Sequence, residues 1–267
     1  MRILKVLILL TIGFNAMAGN NSSVAMVFCE QDKEIDLIKL KIIIEKEFKF
    51  SIKGELKEEK GNIVFEKDKD LFVIGRMSVP IPEDEIKNVA EHSFLFKDKK
   101  GIEIKQKAHI VISIRSTNSN LIDNRLKLTK LVRSVLMVTD AIGVYWGSAA
   151  QIIQKDIFIA LTDSINKESL PMIIWVGITI GKGDNGEINL FSRGLKDFGF
   201  PEFEVVDLKM PRDDAYYFLL DLAENIITSR DIIKEGDTVG RDANEKLKVN
   251  YIKSVFTENN NVMRIKM

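Results

Sequence analysis

The stretch Ala108-His109-Ile110-Val111-Ile112-Ser113-Ile114 is an apolar run of strand length, rich in β-branched residues and followed by a polar loop at Ser116 to Asn120. Residues 121–140 then carry Leu121, Leu128, Leu131, Val132, Val135 and Val138 at helical spacing. Next comes Ile142-Gly143-Val144-Tyr145-Trp146-Gly147-Ser148, read as another strand. Strand, helix, strand is the unit from which the rest of the chain is read.

Towards the N-terminus, residues 24–29 read as a buried strand and residues 36–48 as a helix with a broad apolar face. Strand-like alternation begins at residues 50–56. Turns at Glu58-Glu59-Lys60-Gly61-Asn62 and Lys67-Asp68-Lys69-Asp70 lead into the apolar runs 63–65 and 71–74. Pro80-Ile81-Pro82 precedes a short helix at 83–92. Towards the C-terminus, Ser148 is placed to cap a helix carrying Ile152, Ile153, Ile157, Ala160 and Leu161. Residues 172–180, including Trp175, and 187–191 read as two strands joined by Gly181-Lys182-Gly183-Asp184-Asn185-Gly186, where Asn-Gly is a hairpin signal. Residues 213–229 form an amphipathic helix, and 249–256 and 262–265 are closing strands. The expected fold is α+β, with mixed or antiparallel sheets and packed helices, open to two similar lobes at residues 24–96 and 108–267 or to one domain.

The composition is that of a globular chain, 45% hydrophobic and 29% charged over 267 residues. Lys+Arg and Asp+Glu balance at 39 each, so no global field draws nucleic acid or anionic lipid, and neither is expected as a partner. Arg125, Lys127, Lys130 and Arg133 read as the solvated side of their helix. Residues 1–18 have a short basic start, an apolar run and Ala16-Met17-Ala18, the layout of a signal peptide and too short for a stable membrane span. Export to the periplasm or medium is expected if that leader operates; a start at Met17 gives a cytoplasmic protein instead.

With one cysteine and two histidines, the chain offers no internal disulfide and little material for His-based metal sites or triads. Gly181 to Gly186 has the letters of a dinucleotide loop, but a strand follows where a helix is required. His109, second in an apolar strand, reads as packed, and Cys29 as a small buried residue. No catalytic residue, metal or cofactor is assigned. Tyr145 and Trp146 fall on opposite faces of their strand, so one can reach a surface.

Six segments together resemble a bacterial family of uncharacterised proteins, domain of unknown function family 4261. They are residues 108–113, Gly143-Val144-Tyr145-Trp146-Gly147, residues 170–176, Phe191-Ser192-Arg193-Gly194-Leu195, Phe198-Gly199-Phe200-Pro201-Glu202 and Gly236-Asp237-Thr238-Val239-Gly240. The resemblance implies an α+β domain, usually cytosolic, with no activity to carry over, and the leader departs from that pattern. The leading expectation is a non-catalytic protein that binds a protein or small ligand through Tyr145, Trp146, Arg193, Glu202 and Asp237. A neutralising role like that of toxin-immunity proteins is the analogy. The rival is an enzyme of unfamiliar type running acid–base chemistry on Asp237, Glu202 and Arg193. A third reading is dimerisation through a sheet edge.

Overall fold

A computed structural model describes residues 22–97, 105–183, 185–257 and 260–267. The leader at residues 1–18 lies outside the described residues, as do Asp184 and most of the lysine-rich connector. Among the described residues no helix is long and apolar enough to cross a membrane. The chain folds as α+β in two compact units, built from the described parts of Met1–Pro80 with Gln106–Ile142, and of Ile81–Lys105 with Gly143–Met267. Residues 108–142 therefore fold with the N-terminal segment, although they follow the lysine-rich connector.

In the first unit β1 (Ser22–Cys29), β2 (Glu58–Glu59), β3 (Asn62–Lys67), β4 (Asp70–Met77) and β5 (Ala108–Arg115) form antiparallel neighbours in the order β2-β3-β4-β5-β1. The turns are tight, with positive φ at Lys60 and Gly61 and at Asp68 and Lys69, the twist that two-residue hairpins favour. Helix α1 (Leu37–Phe48) is capped by Asp36, whose carboxylate accepts from the Lys39 amide. It packs on α3 (Leu121–Val138), which lies against β1 and β5. Residues 50–56 contain no strand, so the alternation there does not become a ladder.

The cationic residues of α3 do not form a solvated face. Arg125 and Arg133 are buried. The Arg133 guanidinium donates to Glu47 of α1, and Lys127 donates to the buried Asp70 at 2.5 Å. With a sheet on one side and α1 on another, the helix keeps little free surface, and the heads of Lys127 and Arg133 meet carboxylates of neighbouring elements. His109 is packed as expected, with its Nδ1 2.7 Å from the Val79 carbonyl.

The second unit begins with α2 (Glu83–His92) and resumes within β6 (Ala141–Trp146), which pairs with β7 (Gln151–Gln154) across a 3-10 turn at Gly147–Ala149. Here two sequence expectations are corrected. Ser148 caps no helix. Ala150 turns back with φ 46°, and residues 151–154 form a strand with Ile152 and Ile153 fully buried, so α4 begins only at Lys155 (Lys155–Leu161). The second tryptophan segment is likewise not a strand. It is one turn of helix, α5 (Met172–Trp175), entered through Pro171, with the Val176 amide donating to the Met172 carbonyl at 2.8 Å. An apolar run buried on all sides has no periodicity to separate helix from strand, and Pro171 decides it.

The six-stranded sheet of this unit comprises β8 (Gly177–Lys182), β9 (Ile188–Arg193), β10 (Phe203–Val205), β11 (Thr238–Val239), β12 (Leu247–Lys253) and β13 (Asn261–Ile265), in the order β11-β12-β13-β10-β9-β8. β10 runs parallel to β13 and the other neighbours are antiparallel. The Gly181 to Gly186 segment joins β8 to β9 as a hairpin. Helix α6 (Arg212–Ser229) buries Ala215, Phe218, Leu219, Ala223, Ile226 and Ile227.

Candidate functional site

Alternation along β6 sorts the two aromatic residues. Trp146 is fully buried, with its ring 6.3 Å from Phe158, whereas Tyr145 is half-buried on the opposite side of the strand. Behind them, the Gln151 side-chain amide donates to the Ile173 and Ile174 carbonyls, both at 2.8 Å, tying β7 to α5. The Ser93 hydroxyl accepts from the Ile152 amide at 2.8 Å.

Arg193 closes β9 opposite Gly177 and lies half-buried, its guanidinium 5.2 Å from the centre of the Phe191 ring. The chain then turns sharply. Gly194 has φ 114°, and a Cβ there would stand 2.2 Å from the Trp175 carbonyl oxygen, so both conformation and space require glycine. The turn is held from within by Glu202. Its carboxylate accepts from the Ser192 hydroxyl at 2.7 Å and from the amides of Gly194, Leu195 and Lys196 at 2.9, 3.3 and 3.2 Å. Those four donors match the lone-pair sites of a buried carboxylate. Two residues on, fully buried Glu204 accepts from Arg264, Ser254 and the Val255 amide.

Of the five residues singled out from sequence, Tyr145 and Arg193 are within electrostatic reach of each other. Burial raises the Tyr145 pKa first, the Glu85 carboxylate raises it further, and the Arg193 cation opposes both. Glu85 is itself raised by burial of its carboxyl and by Asp84. Glu85 was not legible as a site residue, because a carboxylate in the first turn of α2 also suits the helix dipole there. Among the described residues the Arg193 guanidinium has no hydrogen-bond or ion-pair partner. Trp146 lies behind the strand and Glu202 inside the turn that follows Arg193. Asp237 is elsewhere in the unit: its carboxylate accepts from the Lys234 amide at 2.7 Å, shaping the turn before β11, and it raises the Tyr251 pKa along with burial and Glu235. No hydrogen bond or ion pair joins Arg193, Glu202 and Asp237 among the described residues.

No group of three or more His, Cys, Asp or Glu side chains is placed to hold a metal among the described residues. In the first unit a cavity of about 60 Å³ lies beside Cys29, Asp32 and Arg76, room for very few water molecules. Arg76 there bridges Asp32 at 2.6 Å and Glu58 at 3.1 Å, a pairing that holds the Asp32 carboxyl below its usual range, after a hydrogen bond from Ser78.

The architecture is that of an α+β protein. Residues 191–266, from Phe191 in β9 to Lys266 just past β13, match the family model described as Domain of unknown function (DUF4261). Searches of curated proteins and of solved structures find no match. The Arg193-Gly194 turn, Glu202 and the Asp237 loop all fall inside the matched segment, while Tyr145, Trp146 and Glu85 precede it.

Proposed function

We propose that this is a non-catalytic binding protein whose second unit recognises an acidic group of a partner protein through Arg193 and Tyr145. The observation that supports it is the half-buried Arg193 guanidinium, lodged against Phe191 with no acceptor among the described residues. A desolvated cation without an acceptor is costly, and an incoming carboxylate supplies a two-point partner for its planar donors. Tyr145, whose pKa is raised, stays protonated at neutral pH and donates to the same group. Glu85 flanks the pair and disfavours a poorly aligned anion. Trp146 and Glu202 serve by holding β6 and the Arg193 turn in place. A neutralising role, as in toxin-immunity proteins, suits such a protein and remains an analogy.

The test is capture of a partner from extract with wild type and Arg193→Ala, followed by calorimetric titration of the purified partner. Arg193→Ala and Tyr145→Phe are each expected to weaken binding at least about tenfold, since a hydrogen bond to a charged group contributes about 1.5–3 kcal/mol. An unchanged Kd in an Arg193→Ala protein of unaltered melting temperature rules the site out.

A further inference from the structure

Helix α6 carries a surface that neither the sequence reading nor the Arg193 site uses. Between it and residues 238–246 runs a groove of about 600 Å³, within the range of ligand sites. Phe218, Leu222 and Val239 give it apolar lining, and Asp221, Asp242 and Lys246 supply charge. The wall made by residues 238–246 is preformed. A Cβ on Gly240 would lie 2.1 Å from the Glu245 carbonyl oxygen, so the backbone closes on itself there. The Glu245 carboxylate accepts from the Arg241 amide at 2.7 Å and from its guanidinium at 2.5 to 3.1 Å.

That pairing decides the charge of the groove. Arg241 and Glu245 neutralise each other, which leaves Asp221 and Asp242 facing Lys246, with Asp214 close enough to act on Arg241. Asp242 spends one oxygen on the Asn244 and Glu245 amides, whereas Asp221 is exposed and has no hydrogen-bond or ion-pair partner among the described residues. One turn earlier on α6, Tyr217 is 60% exposed with its ring 5.5 Å from that of Tyr216, which in turn lies 5.9 Å from the exposed Phe94. Apolar lining, an unpaired carboxylate and the exposed Tyr217 ring one turn away on the same helix are complementary to a chain bearing lysine or arginine between apolar side chains, since an aromatic ring also attracts cations.

We propose that this groove docks an extended basic segment of a partner protein, lying along α6 from Tyr217 towards Asn225. A rigid wall lowers the ordering cost on the protein's side, so such a segment gains affinity without remodelling the site.

The probe is a dye-labelled, end-capped Lys-Leu-Lys-Leu-Lys peptide, titrated into the full chain by fluorescence anisotropy beside the Glu-Leu-Glu-Leu-Glu peptide. The basic peptide is expected to bind at least ten times more tightly, to weaken with added salt, and to lose at least tenfold in affinity on Asp221→Lys and several-fold on Tyr217→Ala. Both residues are exposed, so the variants should melt at the wild-type temperature. Equal affinity for the two peptides, no binding of either, or an Asp221→Lys protein that binds as well as wild type overturns the proposal. So does displacement of the peptide by an equal concentration of spermine, which assigns the groove to small cations.

Discussion

His109 is the residue whose chemistry responds most directly to pH. Its ring is 3% exposed, and Nδ1 donates to the Val79 carbonyl, which fixes the tautomer. Burial holds its pKa below the ordinary 6.5, and the hydrogen bond to Val79 offsets this only in part. The unfolded chain therefore binds a proton below about pH 6.5 that the folded chain refuses, so the contribution to stability is complete above that pH and is lost on acidification towards the folded pKa. Within that window the loss approaches about 1.4 kcal/mol per pH unit. Thermal melts between pH 7.5 and 5 should show it, and His109→Asn, which keeps an N–H for Val79, should flatten the slope; an unchanged slope in that variant assigns the effect to other groups. That His109 packs was legible, because it sits second in an apolar strand. Which of Tyr145 and Trp146 faces outward was not, since alternation shows opposition but not the side on which the core lies.

At the scale of elements, the turn between β9 and β10 depends on one internal carboxylate. Glu202 collects the Ser192 hydroxyl, the Gly194 amide and the first two amides of the 3-10 turn at Leu195–Phe198. Glu202→Gln replaces one accepting oxygen by an NH2 that faces donors, so two of the four bonds are lost inside the protein. The expected cost is roughly 2–3 kcal/mol in urea unfolding, and Arg193, at the entrance to the turn, should show altered amide shifts. A variant as stable as wild type means that the turn is held by packing alone. Nothing in the sequence marks Glu202 as internal, because its four donors come from backbone and a serine six to ten residues before it in the chain. Long periodic elements were easier: the apolar stripes of α3 and α6 read directly as helices. The charges of α3 were misread because one helix wheel shows where its own polar residues point but not that α1 covers Arg133 with Glu47. The α5 turn has no legible period because its four residues are all apolar and three of them, Met172, Ile174 and Trp175, are buried.

For the whole molecule, the two units do not follow chain order. The first unit is closed by residues 106–142, and the second takes residues 81–105 from ahead of them. No composition shift marks that interleaving. The matched family segment 191–266 omits the partner strand β8, the β6–β7 hairpin and α2, so it is shorter than the body that buries its core. Residues 143–267 alone should fail to fold. The Ile152 amide would lose the Ser93 hydroxyl, the Gln154 amide would lose the Leu95 carbonyl, and the sites of Leu95 and Phe96, each buried, would open to water. Each such side chain contributes about 1.5–3 kcal/mol, a large part of a domain's net stability of about 5–15 kcal/mol. The Phe96 ring comes within 3.3 Å of a Cβ built on Gly143, so residue 97 can be joined to 143 by a short link. A fusion of residues 81–97 to 143–267 through about six Gly/Ser residues, which span roughly 13 Å, should give a dispersed amide NMR spectrum where the bare fragment does not. Dispersion from 143–267 alone would show that the C-terminal strands and helices bury a sufficient core without α2 and the segment that follows it.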